Sequence, residues 1–235
     1  MRWRPDKTGR FIQRPYYELE ELDSGCEKIV TSFLLNRYGK VQYPISTNDL
    51  TILIEQEVAE LDLYADLSIY GDEIQGVTDF TPGSKPRIRI AKELSEQTWR
   101  ENRLRTTLSH ELGHAKYHNL LKQKPQLLFS EPEQPFSHHC KKEAMITTGE
   151  VDWLEWQAGY ASGAFLMPIT AVRTIVREIS ESTNSFGAIS TTSIAGRELI
   201  SQLQRTFQVS EEAARVRLLK LKYLTEQPST PSLFN

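Results

Sequence analysis

Apolar positions change their period several times along this chain. Between Tyr16 and Tyr38, and again between Thr47 and Leu61, they recur at helical spacing, with Ser46 or Thr47 available as a cap ahead of Asp49. Strict alternation follows in Glu73–Phe80 and Arg87–Ile90, around a Thr81-Pro82-Gly83-Ser84 turn, and predicts an antiparallel hairpin. The helical period then returns. Thr98-Trp99-Arg100-Glu101 fits a capping box, and Leu104, Leu108, Leu112 and Ala115 form a narrow apolar stripe suited to burying one face. Gln126 to Cys140 is Pro-rich, shows no period and reads as a long loop.

Gly149 to Pro168 reads as a second long helix, stopped by its proline. Its small residues Ala158, Gly159, Ala161, Ser162, Gly163 and Ala164 are suited to letting another helix approach closely. Ile169 to Ile179 continues as helix, Ser180 to Ser190 is a linker, and Arg197–Phe207 with Ser210–Leu224 reads as helix, turn, helix, capped by Ser210. Together these elements predict an α+β fold, a small antiparallel sheet with flanking helices. Its segments are 1–45 (arm and helix), 46–179 (core), 180–226 (a C-terminal helix-turn-helix-like region) and 227–235 (a mobile tail).

Composition narrows the setting. A chain of 235 residues can bury a real core. It has no apolar run approaching about 18 residues and no secretory signal pattern, so a membrane span is excluded and a cytoplasmic location is expected. Two cysteines without paired spacing suit a reducing compartment. The net charge of −3 excludes a generally basic protein that coats nucleic acid. Basic residues nonetheless crowd the first segment, where Arg2, Arg4, Lys7, Arg10 and Arg14 interleave with Trp3 and Phe11. Such an arm can follow phosphates and stack on unpaired bases, or serve only as a disordered solubilising terminus. Arg215, Arg217 and Lys220 in the last helix are further candidates for nucleic-acid contact, unless that helical pair simply packs against the core.

The chemistry lies in His110-Glu111-Leu112-Gly113-His114. On a helix the two histidines project from one face a turn apart and can bind one Zn²⁺, while Glu111 can take a proton from a water that the metal has acidified. A catalytic zinc commonly has three protein ligands, so a third is expected downstream. Glu155 and Asp152, on one face of the second long helix, both qualify. His118 continues the line of histidines, but the reading preferred for it is capping or packing. Cys140, at the end of the long loop, is a candidate inhibitory ligand that would close the water position in a latent state. His138, His139, Tyr160 and Tyr117 are candidate oxyanion stabilisers.

HELGH followed by Glu155-Trp156-Gln157-Ala158 through Leu166-Met167-Pro168 resembles the ImmA/IrrE family of metallopeptidases, from about Asn48 onward. The resemblance implies a gluzincin-like site, with His110, His114 and Glu155 binding zinc and Glu111 as general base and acid. It also implies a helix-turn-helix transcriptional repressor as substrate, cleaved to relieve repression in a stress or phage-defence operon. Gln157 stands where many members carry a second acidic residue, which bears on the tuning of the site more than on metal binding. The Cys140 departure resembles a subgroup associated with anti-phage signalling operons, which implies a cysteine switch and activation by single-stranded DNA. The competing class is a non-catalytic regulator that binds nucleic acid or a partner and keeps a structural zinc; Glu111 would be superfluous there.

Overall fold

The computed structural model describes residues 1–81, 83–119, 121, 136–141, 152–185 and 187–226, with 136–141 as backbone. Two short strands, β1 (Arg2–Pro5) and β2 (Gln13–Tyr16), open the chain as an antiparallel hairpin. Helices α1 (Leu19–Tyr38) and α2 (Thr47–Glu57) follow. Then come β3 (Glu60–Ala65), β4 (Ile74–Phe80) and β5 (Arg87–Ala91). Beyond a one-turn α3 (Lys92–Ser95) runs α4 (Glu101–Tyr117), the helix of the histidine motif. After β6 (Phe136–Lys141) come α5 (Trp153–Leu166), α6 (Ile169–Thr183), β7 (Ile189–Ser190), α7 (Ile194–Phe207), α8 (Glu211–Lys220) and β8 (Leu224–Thr225). Among the described residues no helix is long and apolar enough to cross a membrane.

The fold is α+β, as expected, but the sheet is larger than a hairpin. Its order is β3-β5-β4-β6, with β4 antiparallel to both neighbours and β3 parallel to β5. The expected helix from Thr47 to Leu61 therefore stops at Glu57, and Leu61 joins β3. Leu61 and Leu63 satisfy either period over so short a run, and pairing with β5 decides between them. The segment expected to be a loop up to Cys140 ends in strand β6; residues 122–135 lie outside the described residues. Phe136-Ser137-His138-His139-Cys140-Lys141 has no β-branched residue to announce a strand, and its ladder with β4 supplies what local preference does not.

The N-terminal arm is likewise a folded element. Asp6 closes its turn by accepting from the amide and hydroxyl of Thr8 and from the Phe11 amide. The hairpin docks on the start of α5: Trp153 Nε1 donates to Asp6 at 3.1 Å, Arg10 pairs with Asp152 at 2.6 Å, and Phe11 meets the Trp153 ring edge-on.

Helix α4 runs through the middle of the molecule, against the sheet on one side, α5 on another and α2 beyond. From Arg105 to Ala115 every residue is buried, so it has no solvent face. Its hydroxyls make this tolerable. Thr106, Thr107 and Ser109 donate to carbonyls one turn back, at 2.9, 3.1 and 2.9 Å, and Ser109 also meets Ser162 of α5 at 2.7 Å. The expected capping box is absent. Residues Thr98–Arg100 form a 3₁₀ turn, and Glu101 instead accepts from the Thr47 hydroxyl at 2.7 Å.

Arg105, 1% exposed, reaches the Ile45 carbonyl at 2.6 Å and that of Phe207 at 3.0 Å, tying α4 to the start of α2 and the end of α7. One apolar core takes side chains from α1 through β8, so the segments divided at 45/46 and 179/180 share it.

The C-terminal pair packs against α5 and α6 and lends its charges to that packing. Arg217, 2% exposed, donates to Asp23 at 2.6 Å and to the Met167 carbonyl at 3.2 Å, while Tyr160 donates to the other Asp23 oxygen at 2.8 Å. Lys220 lies half-buried over the Tyr160 ring. Arg215 is paired with Glu212 and Glu226. Of the three C-terminal candidates for nucleic-acid contact, Arg217 is thus a buried packing residue, Lys220 is half-buried over a ring and Arg215 is ion-paired.

Burial, reinforced by the neighbouring Arg217, brings Lys220 down to about 8. Its charged form is disfavoured in the folded state, so this group's penalty is complete below pH 8 and fades as pH rises toward the ordinary lysine range. Lys220→Met should therefore raise the thermal midpoint at pH 7, and the gap from the parent should narrow between about pH 8 and 10.5, read by scanning calorimetry across that range.

Candidate metal centre

The site is assembled from the helix pair and one strand. His110 and His114 sit one turn apart on the side of α4 that faces α5, both fully buried. Their Nε2 atoms are 3.0 Å apart. Glu155 comes from the first turn of α5, where Asp152 serves as N-cap and accepts from the amides of Leu154 and Glu155. One Glu155 oxygen lies 3.1 Å from His114 Nε2 and the other 3.4 Å from His110 Nε2.

These separations are the test of fit. A tetrahedral ion with bonds of about 2.0 Å holds its ligand atoms roughly 3.3 Å apart, so two imidazole nitrogens and a carboxylate spaced in this way can share one divalent metal. The donor set is two imidazole nitrogens with a carboxylate, and all three residues are buried.

The helices can come this close because of Gly113. A Cβ there would stand 3.0 Å from the Ala158 Cα and 3.1 Å from its carbonyl oxygen. The small residues of α5 thus do what their spacing suggested, and they meet a glycine inside the motif itself.

Glu111 points to the sheet side of α4. Thr78 of β4 donates to its Oε2 at 2.5 Å. Two positions away on the same face, Gly76 makes room: a Cβ there would collide with the carboxylate, 2.8 Å from its Cδ and 2.9 Å from its Cγ. Neither Thr78 nor Gly76 belongs to a motif in the sequence. A signal for Gly76 existed, since glycine inside a strand pattern often marks close approach by another group.

The other candidates distribute differently. Asp152, the alternative ligand, is consumed as the cap of α5 and the partner of Arg10. Its position just before the helix turns the carboxylate toward the first-turn amides. Tyr160 has its hydroxyl on Asp23, well around α5 from Glu155, and is not an oxyanion donor. Tyr117 is committed to the buried free thiol of Cys26 at 3.2 Å; burial raises the tyrosine well above its ordinary range and the thiol to about 12. The backbone of Cys140 lies opposite Gly76, that of His139 opposite Val77 and that of His138 opposite Thr78. The side chains of these three lie outside the described residues. Arg2 and Arg4 are exposed on the hairpin, with the Arg4 guanidinium 3.5 Å above the Tyr16 ring.

His118 is buried next to the ligands without joining them. Its Nδ1 is 2.9 Å from Nδ1 of His114 and its Nε2 is 3.1 Å from Oε1 of Gln157. It packs against His114.

A family model described as the IrrE N-terminal-like domain, Peptidase_M78, matches residues 71–219, a span that runs from just before β4 into α8 and encloses every residue of the centre. A search of curated proteins finds no match.

Elemental analysis should find about one divalent metal per chain, and His114→Ala or Glu155→Ala should lose most of it, because either change leaves two of three protein donors.

Proposed function

Because this chain belongs to the IrrE N-terminal-like family of metallopeptidases, we propose that it is a zinc-dependent endopeptidase that cleaves a helix-turn-helix transcriptional repressor. The observation that carries the reading is the division of labour on α4. His110 and His114 converge with Glu155, while Glu111 between them is held apart on Thr78. A purely structural metal needs no such carboxylate.

Zinc, when bound by His110, His114 and Glu155, would acidify a water and polarise the scissile carbonyl. Glu111 then takes the proton from the attacking water and returns it to the leaving amine. Thr78 holds the Glu111 carboxylate in one orientation, and Gly76 keeps the strand from displacing it. Strands β4 and β5 are both interior to the sheet and offer no free edge to a substrate. On the β4 side β6 is the outermost strand among the described residues, and an extended peptide would add there by main-chain hydrogen bonds.

The biological setting follows the same reading: a cytoplasmic enzyme, latent until signalled, that relieves repression in a stress or phage-defence operon. Cys140 is the latency ligand in this proposal and single-stranded DNA the activator. Support comes from the register, in which Cys140 lies opposite the glycine that accommodates Glu111. The hairpin supports the DNA arm of the proposal. Arg4, Arg14, Tyr16, Trp153 and Trp156 surround a cavity of about 280 Å³, the mixture of cations and rings that grips phosphates and unpaired bases.

Glu111→Gln should keep about one zinc per chain and lose repressor cleavage by roughly 10²- to 10⁴-fold. Gly76→Ala should also retain zinc but lower kcat, by moving the same carboxylate. The substrate to test is a small helix-turn-helix protein encoded beside this chain, followed by gel and mass spectrometry; full biological activity in Glu111→Gln would instead favour the binding-protein reading. Cys140→Ala should raise cleavage in the absence of DNA and respond little to an added oligonucleotide.

A further inference from the structure

We propose that His118 and Gln157 are positioning residues of the metal centre, and that the backbone carbonyl of Pro15 in the N-terminal hairpin dictates which nitrogen of His114 is left to bind metal. The proposal rests on the metal-site reading above and adds a fourth element, the hairpin, to a centre otherwise built from α4, α5 and β4.

Three hydrogen bonds form a chain whose polarity is determined at one end only. A carbonyl oxygen can only accept, so the Gln157 group 3.0 Å from Pro15 O is the amide NH₂. The Gln157 oxygen must then face the other way, where it lies 3.1 Å from Nε2 of His118. An amide oxygen also only accepts, so His118 carries its proton on Nε2. In the neutral ring Nδ1 is then the acceptor, and it stands 2.9 Å from Nδ1 of His114. His114 must supply the proton there. Its lone pair is left on Nε2, the atom that faces His110 and Glu155.

Reversing any one link would set oxygen against oxygen or proton against proton. Water has little room to repair the fault between the two rings, since His114 and His118 are fully buried. A ligating histidine generally donates its second nitrogen to a fixed acceptor, which orients the ring and raises its basicity. Here that acceptor is another histidine, held in plane by the perpendicular ring of Trp153 at 5.6 Å.

The far end is not part of the catalytic helices. Pro15 belongs to β2, and the hairpin is held by the bonds of Trp153 to Asp6 and of Arg10 to Asp152. Docking of the hairpin at the start of α5 therefore sets the carbonyl that the relay ends on.

Ring-nitrogen NMR of the full chain labelled with ¹⁵N-histidine tests this directly, because the chain has only five histidines. With zinc loaded, His114 should appear as the Nδ1–H tautomer and His118 as Nε2–H. Gln157→Leu, which removes both ends of the amide, should disperse the His118 signal between tautomers and weaken zinc by roughly tenfold or more in competition with a chromophoric chelator. Gln157→Glu keeps an acceptor for His118 but offers Pro15 no donor. It should restore the His118 tautomer and most of the affinity, while amide exchange at Gln13, Arg14 and Tyr16 quickens. His118 protonated on Nδ1, or zinc affinity in Gln157→Leu within about twofold of the parent, would overturn the relay. A chain that takes up no zinc would instead defeat the peptidase reading, and the tautomer of His118 in that metal-free protein would still decide the relay.

Discussion

The centre depends on how near two helices can come. A metal of this kind tolerates donor distances of only a few tenths of an ångström around about 2 Å, and the glutamate carboxyl has a short reach. Glu155 can meet His110 and His114 only if α5 lies against α4 with little between their backbones. Gly113 against Ala158 provides that, with Ala161 beside them at 3.4 Å from where a Cβ of Gly113 would be. The clamps that hold α4 and α5 in register can be read as consequences of this demand. Ser109 and Ser162 join the two helices directly. Arg105 pins α4 to the carbonyls of Ile45 and Phe207, and the Asp23, Tyr160 and Arg217 cluster ties α1, α5 and α8 together on the other side.

A helix in that position has no face left for water. The usual remedy, an all-apolar helix, is closed to one that carries two imidazoles and a carboxylate. Threonine and serine on α4 bond back to its own carbonyls, so they fill space without exposing an unmet donor. The functional side chains then divide by direction. The histidines face α5 and its carboxylate, and Glu111 faces a strand that offers it a hydroxyl and a missing Cβ. The same helix thus turns the histidines that could hold a metal and the Glu111 carboxylate to different neighbours.

Charge on the C-terminal pair tells a related story. Arg217 and Lys220 looked in sequence like a basic recognition surface, yet they face inward onto Asp23 and Tyr160. Spacing cannot distinguish an outward row of cations from an inward one when acidic partners lie almost two hundred residues away in the chain. Hence the C-terminal helical pair closes the core, while in the N-terminal hairpin Arg4 stays exposed over an aromatic ring.

Much of the centre was legible before any fold was known, because its information is local. The interval of four between His110 and His114 is a helical turn, and the small residues of α5 announce a close neighbour whatever that neighbour is. The β4–β5 hairpin and the main helices were written in period and turn chemistry in the same way. What only tertiary structure decided are matters of partnership between distant segments: the placing of Glu155 beside the two histidines while Asp152 caps α5; the strand character of β3 and β6, settled by pairing; and the folding of the arm, settled by docking on Trp153. His118 and Gln157 belong here as well. Their spacing marks them as neighbours of ligands, but the direction of their hydrogen bonds is imposed by a carbonyl 142 positions before Gln157, and no local pattern carries that polarity.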